Sequence, residues 1–120
     1  MNQVVERPWG TYEVLATGDG YQVKRLVVKA GKRLSLQLHH HRSEDWVIAS
    51  GSAEITIGDQ IHTAKSGSRF HVPVETQHRI ANPSTDTELT VIEVQLGDYL
   101  GEDDIVRIQD DFGRHDAAKA

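Results

Sequence analysis

The sequence predicts an all-β fold, an antiparallel β-barrel or jelly roll, from three observations. Breakers recur at short intervals: Thr17-Gly18-Asp19-Gly20, Ala30-Gly31-Lys32, Ser50-Gly51-Ser52, Gly58-Asp59, Ser66-Gly67-Ser68 and Asn82-Pro83-Ser84-Thr85-Asp86. Between them lie runs of about five to ten residues rich in Val, Ile, Thr and aromatics, the composition of strands joined by turns. Helical periodicity is largely absent, so the most helix expected is one short turn near Asp103 to Ile108. At 120 residues a globular chain buries roughly two thirds of its unfolded surface. One core is therefore expected, in a single domain over 1–120.

The segments justify that class in order. Met1 to Arg7 reaches Pro8 without an apolar stretch, and the longest hydrophobic run anywhere is Trp46-Val47-Ile48-Ala49. Neither a secretion signal nor a membrane span is expected, which leaves a soluble, cytoplasmic chain with no membrane partner. The run Tyr21 to Lys29 reads as a strand, but Val27 and Val28 are adjacent and its inward face stays open. The run Arg33 to His41 alternates almost perfectly, with Leu34, Leu36 and Leu38 on one face and Ser35, Gln37, His39 and His41 on the other. The leucine face has to pack on a second sheet or on another subunit. After a Pro73-marked bend, His78 alternates with Ile80. Glu102-Asp103-Asp104 and Asp110-Asp111 read as a solvated acidic tail, since the calcium-loop pattern is missing.

Composition excludes several functions. The chain carries 13 Lys and Arg against 18 Asp and Glu, a formal charge of −5, and has no basic run longer than Lys32-Arg33. Binding duplex nucleic acid needs clustered cations, so no nucleic-acid partner is expected. The lack of cysteine removes disulfides, thiolate nucleophiles and Cys-ligated zinc. Asn82-Pro83-Ser84 carries the proline that forbids glycosylation, and Leu26 stands where a phosphate-binding loop ending in Gly31-Lys32 needs glycine.

Two blocks carry chemistry. The first runs Gly31, five residues, Gln37, one residue, His39, four residues, Glu44, six residues, Gly51. The second runs Gly67, five residues, Pro73, then Glu75, two residues, His78, three residues, Asn82. Gln37 and His39 share a strand face, Glu44 lies past its end, and His78 can approach from a facing strand. An amide oxygen, two imidazoles and a carboxylate suit zinc, or Mn, Fe, Co or Ni, and leave coordination positions open, as a catalytic site requires. His62, His71 and His115 read as surface or packing histidines, and Trp46 and Phe70 as core aromatics.

These blocks resemble the two motifs of the cupin superfamily, a β-barrel fold whose barrel holds one metal. Gln37 takes the place of the usual first histidine, and the resulting Gln, His, Glu, His set is similar to the ligands of phosphomannose isomerases. Glu75 stands where the second motif has glycine, and Asp45 where the family often has histidine. Arg7-Pro8-Trp9-Gly10, Ser35-Leu36-Gln37 through Arg42, Glu44 with Trp46, Tyr99 to Val106, and Phe112-Gly113-Arg114 resemble the type II mannose-6-phosphate isomerase domain over about 7–114. In that family the domain is often the carboxy-terminal part of a bifunctional protein with a mannose-1-phosphate guanylyltransferase half. This chain carries no such half, so nucleotidyl transfer is not expected of it.

The resemblance implies a cupin-type barrel holding one divalent transition metal, zinc first, on Gln37, His39, Glu44 and His78. It also implies interconversion of mannose 6-phosphate and fructose 6-phosphate through an enediol. Such a reaction needs a Lewis acid at the oxygens and a base at the carbons. His41, on the ligand face, is the expected base. Arg42 and Arg114 are the expected phosphate partners, because guanidinium groups match phosphate oxygens bidentately, and Ser35 joins them as a substrate contact. The alternatives are an iron dioxygenase using His39, Glu44 and His78 as a facial triad, and a non-catalytic sugar-phosphate-binding cupin. Pairing through the leucine face makes a homodimer the expected assembly.

Overall fold

A computed structural model of the chain describes residues 3–114. His115 lies outside them. Among the described residues eleven strands form: β1 (Val4–Arg7), β2 (Gly10–Gly18), β3 (Tyr21–Val28), β4 (Leu36–Leu38), β5 (Arg42–Ser50), β6 (Ser52–Ile57), β7 (Gln60–Lys65), β8 (Arg69–Val72), β9 (His78–Ala81), β10 (Leu89–Gly97) and β11 (Val106–Gln109). Two antiparallel sheets result, one ordered β1-β2-β3-β10-β5-β8 and the other β11-β4-β9-β6-β7. No helix forms among the described residues, within the limit of one short turn set by the sequence: residues after Asp103 run into β11, whose Val106 and Arg107 pair with Leu38 and Gln37 of β4.

From β3 onward the chain crosses repeatedly between the sheets, so residues far apart in sequence face one another across the interior. The core lies between the sheets, with Leu26, Val28, Trp46, Ile48, Leu89 and Val91 from one and Ala53, Ile55, Ala64 and Ile80 from the other. Fully burying each Leu, Ile or Val side chain of this set is worth about 1.5–3 kcal/mol. Between β5 and β6 the chain reverses at Gly51, whose φ is +89°. A side chain there would meet the Glu88 carbonyl oxygen at 2.6 Å, so both conformation and space demand glycine.

The barrel is apolar at one end and polar at the other, and the strand register shows how. Opposed residues in adjacent strands point to the same face. Val91 pairs with Leu26 and Ile48, Glu93 with Lys24 and Trp46, and Gln95 with Gln22 and Glu44. The inward row thus changes from aliphatic to polar along single strands. This settles the face of β3: Lys24, Leu26 and Val28 are buried, and the buried lysine hid the alternation from a hydrophobicity reading.

The strand expected over Arg33 to His41 is shorter than its pattern. Only Leu36–Leu38 is regular, preceded by an isolated bridge between Arg33 and Ala81. Leu34 is buried in the core, apart from the half-buried Leu36 and Leu38. His39, His40 and His41 form the turn into β5, where the two-residue period no longer applies.

Candidate metal centre and adjoining cavity

His39, Glu44 and His78 are buried together, with one ligand atom from each lying within 4.8 Å of the others. His39 comes from the turn after β4, Glu44 from the inward face of β5, and His78 from the first position of β9. The imidazole tautomers follow from their partners. His39 Nδ1 donates to the Asp104 carbonyl at 2.6 Å and His78 Nδ1 to the Thr76 carbonyl at 2.9 Å. A carbonyl only accepts, so each Nε2 keeps its lone pair for the cluster, as in histidines that hold metals. His78 Nε2 is buried without any hydrogen-bond partner among the described residues. Buried polar atoms are almost always paired, and a cation bound by Glu44 and both histidines would satisfy this one. The donor set therefore fits a divalent transition metal.

Gln37 stands opposite His78 across the β4–β9 pair, and its Oε1 accepts from Ser35 Oγ at 3.1 Å. Arg42 reaches into the cluster: Nε donates to Glu44 Oε2 at 2.9 Å, and Nη2 lies 2.8 Å from the same oxygen and 3.1 Å from His39 Nε2. Trp46 Nε1 donates to both Glu44 Oε1 and Glu93 Oε1 at 3.1 Å. Burial works to raise the Glu44 carboxyl, but the group is held well below the usual carboxylate range, with the Arg42 guanidinium among the charges that outweigh burial. Burial pushes His78 down. Glu93 goes the other way, to about 8, through burial and then the neighbouring Glu44 charge.

Beside the cluster opens a cavity of about 70 Å³. Gln37, Arg42, Glu93 and Gln95 line it on the cluster's side, and Arg7, Lys24, Arg107 and Arg114 bring its cations to five. Ser35 and Leu34 are also in its wall. Arg42 and Arg114 each face a carboxylate, Glu44 and Asp110 respectively, the latter at 2.8 and 3.1 Å.

Of the residues singled out by sequence, the fold brings His39, Glu44, His78, Gln37 and Arg42 together and places Ser35 and Arg114 on the same cavity. His41 is not among them. Its side chain is 54% exposed, 3.8 Å from Asp98 and edge-on to Tyr99, because the turn rotates it away from the face that Gln37 occupies. Asp45 points outward to His71 at 2.9 Å, so this departure from the family lies away from the cluster. Glu75 adopts φ +63°, which is why its position carries glycine in the second motif. Its amide donates to the His39 carbonyl at 2.8 Å.

The acidic tail proves to be structural. Asp104 accepts from the His40 and His41 amides, both at 2.9 Å, and Asp111 holds Arg33 at 2.7 and 2.8 Å. Lys24, Glu93, Gln95 and Arg107 were missed as site residues. A signal existed for two of them, since Glu93 and Gln95 continue the inward phase of Leu89 and Val91.

Comparison with known proteins bears on this geometry. A family profile described as "Mannose-6-phosphate isomerase C-terminal" matches residues 1–110. The xanthan biosynthesis protein XanB of Xanthomonas campestris pv. campestris is 49% identical over 110 residues, which are 92% of this chain and 23% of that protein. A mannose-1-phosphate guanylyltransferase of Escherichia coli is 44% identical over 114 residues, 95% of this chain and 24% of that one. The chain thus spans about a quarter of the length of these relatives. Among solved structures, an RmlC-like cupin from Shewanella frigidimarina superposes with a TM-score of 0.74 at 16% identity, over 85% of this chain and 87% of its own. The fold is the cupin barrel. No helix among the described residues is long and apolar enough to cross a membrane.

Proposed function

The chain belongs to the mannose-6-phosphate isomerase C-terminal family, and from that membership we propose that it interconverts mannose 6-phosphate and fructose 6-phosphate. The observation that carries the reading is the buried His39, Glu44, His78 cluster abutting a cavity lined by five cations. His39, Glu44 and His78, with Gln37 beside them, would hold a divalent transition metal, zinc first. Bound there, it would supply Lewis acidity toward the carbonyl and hydroxyl oxygens of the open-chain sugar.

The protein's own groups do the rest. The reaction moves one proton between C2 and C1, and a carrier must reach both carbons. Glu93 takes that role in place of the exposed His41, because it lines the cavity and shares the Trp46 indole donor with Glu44. Gln95, fully buried, donates from Nε2 to Glu93 Oε2 at 2.9 Å and fixes the carboxyl's orientation. Of Gln37, the amide oxygen would go to the metal and the nitrogen to the sugar hydroxyls, beside which Ser35 lines the same wall.

The test is formation of fructose 6-phosphate from mannose 6-phosphate by metal-loaded protein, with metal content measured on the same sample. Turnover that disappears on chelation and returns with metal supports the reading. Metal-loaded protein that binds mannose 6-phosphate without converting it would instead be a binding cupin.

A further inference from the structure

The cavity's cations are unequally matched. Lys24 pairs with Glu102 at 2.7 Å, Arg42 with Glu44, and Arg114 with Asp110. Among the described residues Arg7 reaches only neutral acceptors, the Glu6 carbonyl at 3.0 Å and the Tyr12 hydroxyl at 3.4 Å, with its guanidinium 5.2 Å from the Tyr12 ring centre. Arg107 makes no side-chain hydrogen bond or ion pair among the described residues, and its Nε is buried without a partner. A buried guanidinium N–H without an acceptor is costly, and a native fold that keeps one has a use for it.

Register says where this guanidinium lies. Arg107 is opposite Gln37 in the β11–β4 pair, and Gln37 is opposite His78 in the β4–β9 pair. The three side chains therefore form one row on one face of the sheet. Adjacent strands are about 4.8 Å apart, so the row spans roughly 10 Å from the ligand cluster to Arg107. A hexose 6-phosphate has the same polarity, with the reacting C1 and C2 at one end and the phosphate on C6 at the other.

We propose that Arg107, with Arg7 beside it on the same cavity, is the subsite for the substrate's phosphate monoester, and that Gln37 between the two ends faces the sugar hydroxyls. Two guanidinium groups without carboxylate partners among the described residues meet a dianion at full charge, whereas Arg42 and Arg114 would first have to give up Glu44 and Asp110. The identity of the sugar rests on the isomerase reading; the capture of a phosphate monoester does not.

The experiment is calorimetric binding of mannose 6-phosphate, inorganic phosphate and mannose to metal-loaded protein, together with KM and kcat wherever turnover is found. Arg107→Gln should weaken mannose 6-phosphate binding about ten- to a hundredfold, the scale of a lost charge-assisted hydrogen bond. It should leave mannose binding and metal content unchanged. Arg7→Gln should weaken phosphate ester binding less, and Arg25→Gln, which removes the same charge at the exposed Glu13 pair, should not weaken it. Should Arg107→Gln not fold, Arg107→Lys keeps the charge without the planar fork and should lose affinity in the same order of ligands. Undiminished mannose 6-phosphate affinity in Arg107→Gln, or equal loss for mannose, overturns the subsite. Selective loss of phosphate ester binding in a protein that turns nothing over keeps the subsite and removes the isomerase reading. Unchanged KM in an active Arg107→Gln enzyme does the reverse.

Discussion

Arg42 and a metal compete for the His39 lone pair and share the Glu44 carboxylate, and Arg42→Met should expose that competition. The guanidinium donates to Glu44 Oε2 through Nε at 2.9 Å and to His39 Nε2 through Nη2 at 3.1 Å. Both acceptors belong to the ligand cluster. A metal seated on His39 Nε2 must displace the Nη2 hydrogen bond and draws on the carboxylate that Nε holds, charge-assisted contacts worth about 1.5–3 kcal/mol each. Removing the competitor should therefore tighten metal binding by about ten- to a hundredfold. Without metal the opposite holds for stability. Glu44 is 1% exposed, and breaking a buried ion pair by deleting one partner costs about 3–5 kcal/mol. The variant should be strongly destabilised as apoprotein and largely restored by saturating zinc, because the metal then supplies the missing charge. Titration of zinc against a competing chelator gives the affinity, and urea melts with and without zinc give the stability. Equal or weaker zinc affinity in Arg42→Met, or a stability loss that zinc does not repair, would refute the reasoning.

Other expectations follow from single residues. His78→Ala should lose most of the bound metal and should also remove the melting-temperature gain that zinc gives the parent, read by metal analysis and thermal melts; stoichiometric metal in the variant would remove His78 from the ligand set. Glu75→Gly should raise stability, since left-handed backbone costs a non-glycine residue about 1–2 kcal/mol and glycine returns about 0.5–1 of that as unfolded-state entropy. A gain of about 0.5–1 kcal/mol, or a few degrees in Tm, is expected, with Glu75→Ala giving none; a lower Tm for glycine would contradict the strain. Asp110 concerns acid stability: burial works to raise its carboxyl, but the Arg114 side chain and amide and the Phe112 amide carry it below its ordinary value. A depressed carboxyl stabilises the fold above its unfolded pKa of about 3.9 and loses that contribution as pH falls through the folded value. Asp110→Asn should cost about 2 kcal/mol at pH 7 and progressively less below about pH 4, measured by urea melts; a deficit independent of pH would show that charge is not the cause.

What was readable in advance depended on periodicity. Turn residues at short intervals dictate strands, and ligand spacing within a strand and its following turn is a local property, so Gln37, His39 and Glu44 could be placed together from sequence. His78 needed only a facing strand after a proline bend. His41 shows the limit. The two-residue period that ties Gln37 to His39 in the sequence stops at Leu38, where β4 ends, and extrapolating it turned an exposed histidine into a base. Arg107 was hidden because its position depends on which strand β11 joins, a pairing across about 70 residues that no local pattern records. Lys24 and Glu93 were hidden by a different cause. They sit in otherwise apolar strands, where a charged residue reads as an interruption of the inward face and is in fact its continuation into the site.

The segment after Tyr99 explains why the site is spread over so much of the chain. β4 is three residues long and meets β9 through the Gln37–His78 register, too little to hold a ligand-bearing turn in place. The tail supplies the missing constraints. Asp104 accepts the His40 and His41 amides on its carboxylate while its carbonyl orients the His39 ring. β11 then covers β4, and Asp111 ties Arg33, just ahead of it, from the other side. Arg79 of β9 donates to the Leu34 carbonyl and to Gln109 of β11, joining the strands that flank β4. The acids that look like a solvated tail in the sequence are thus the partners of the backbone amides and guanidinium groups around the cluster. Ligand geometry and the Arg107 row share this one support, so a change in the tail that loosens Asp104 should disturb the metal end and the anion end together.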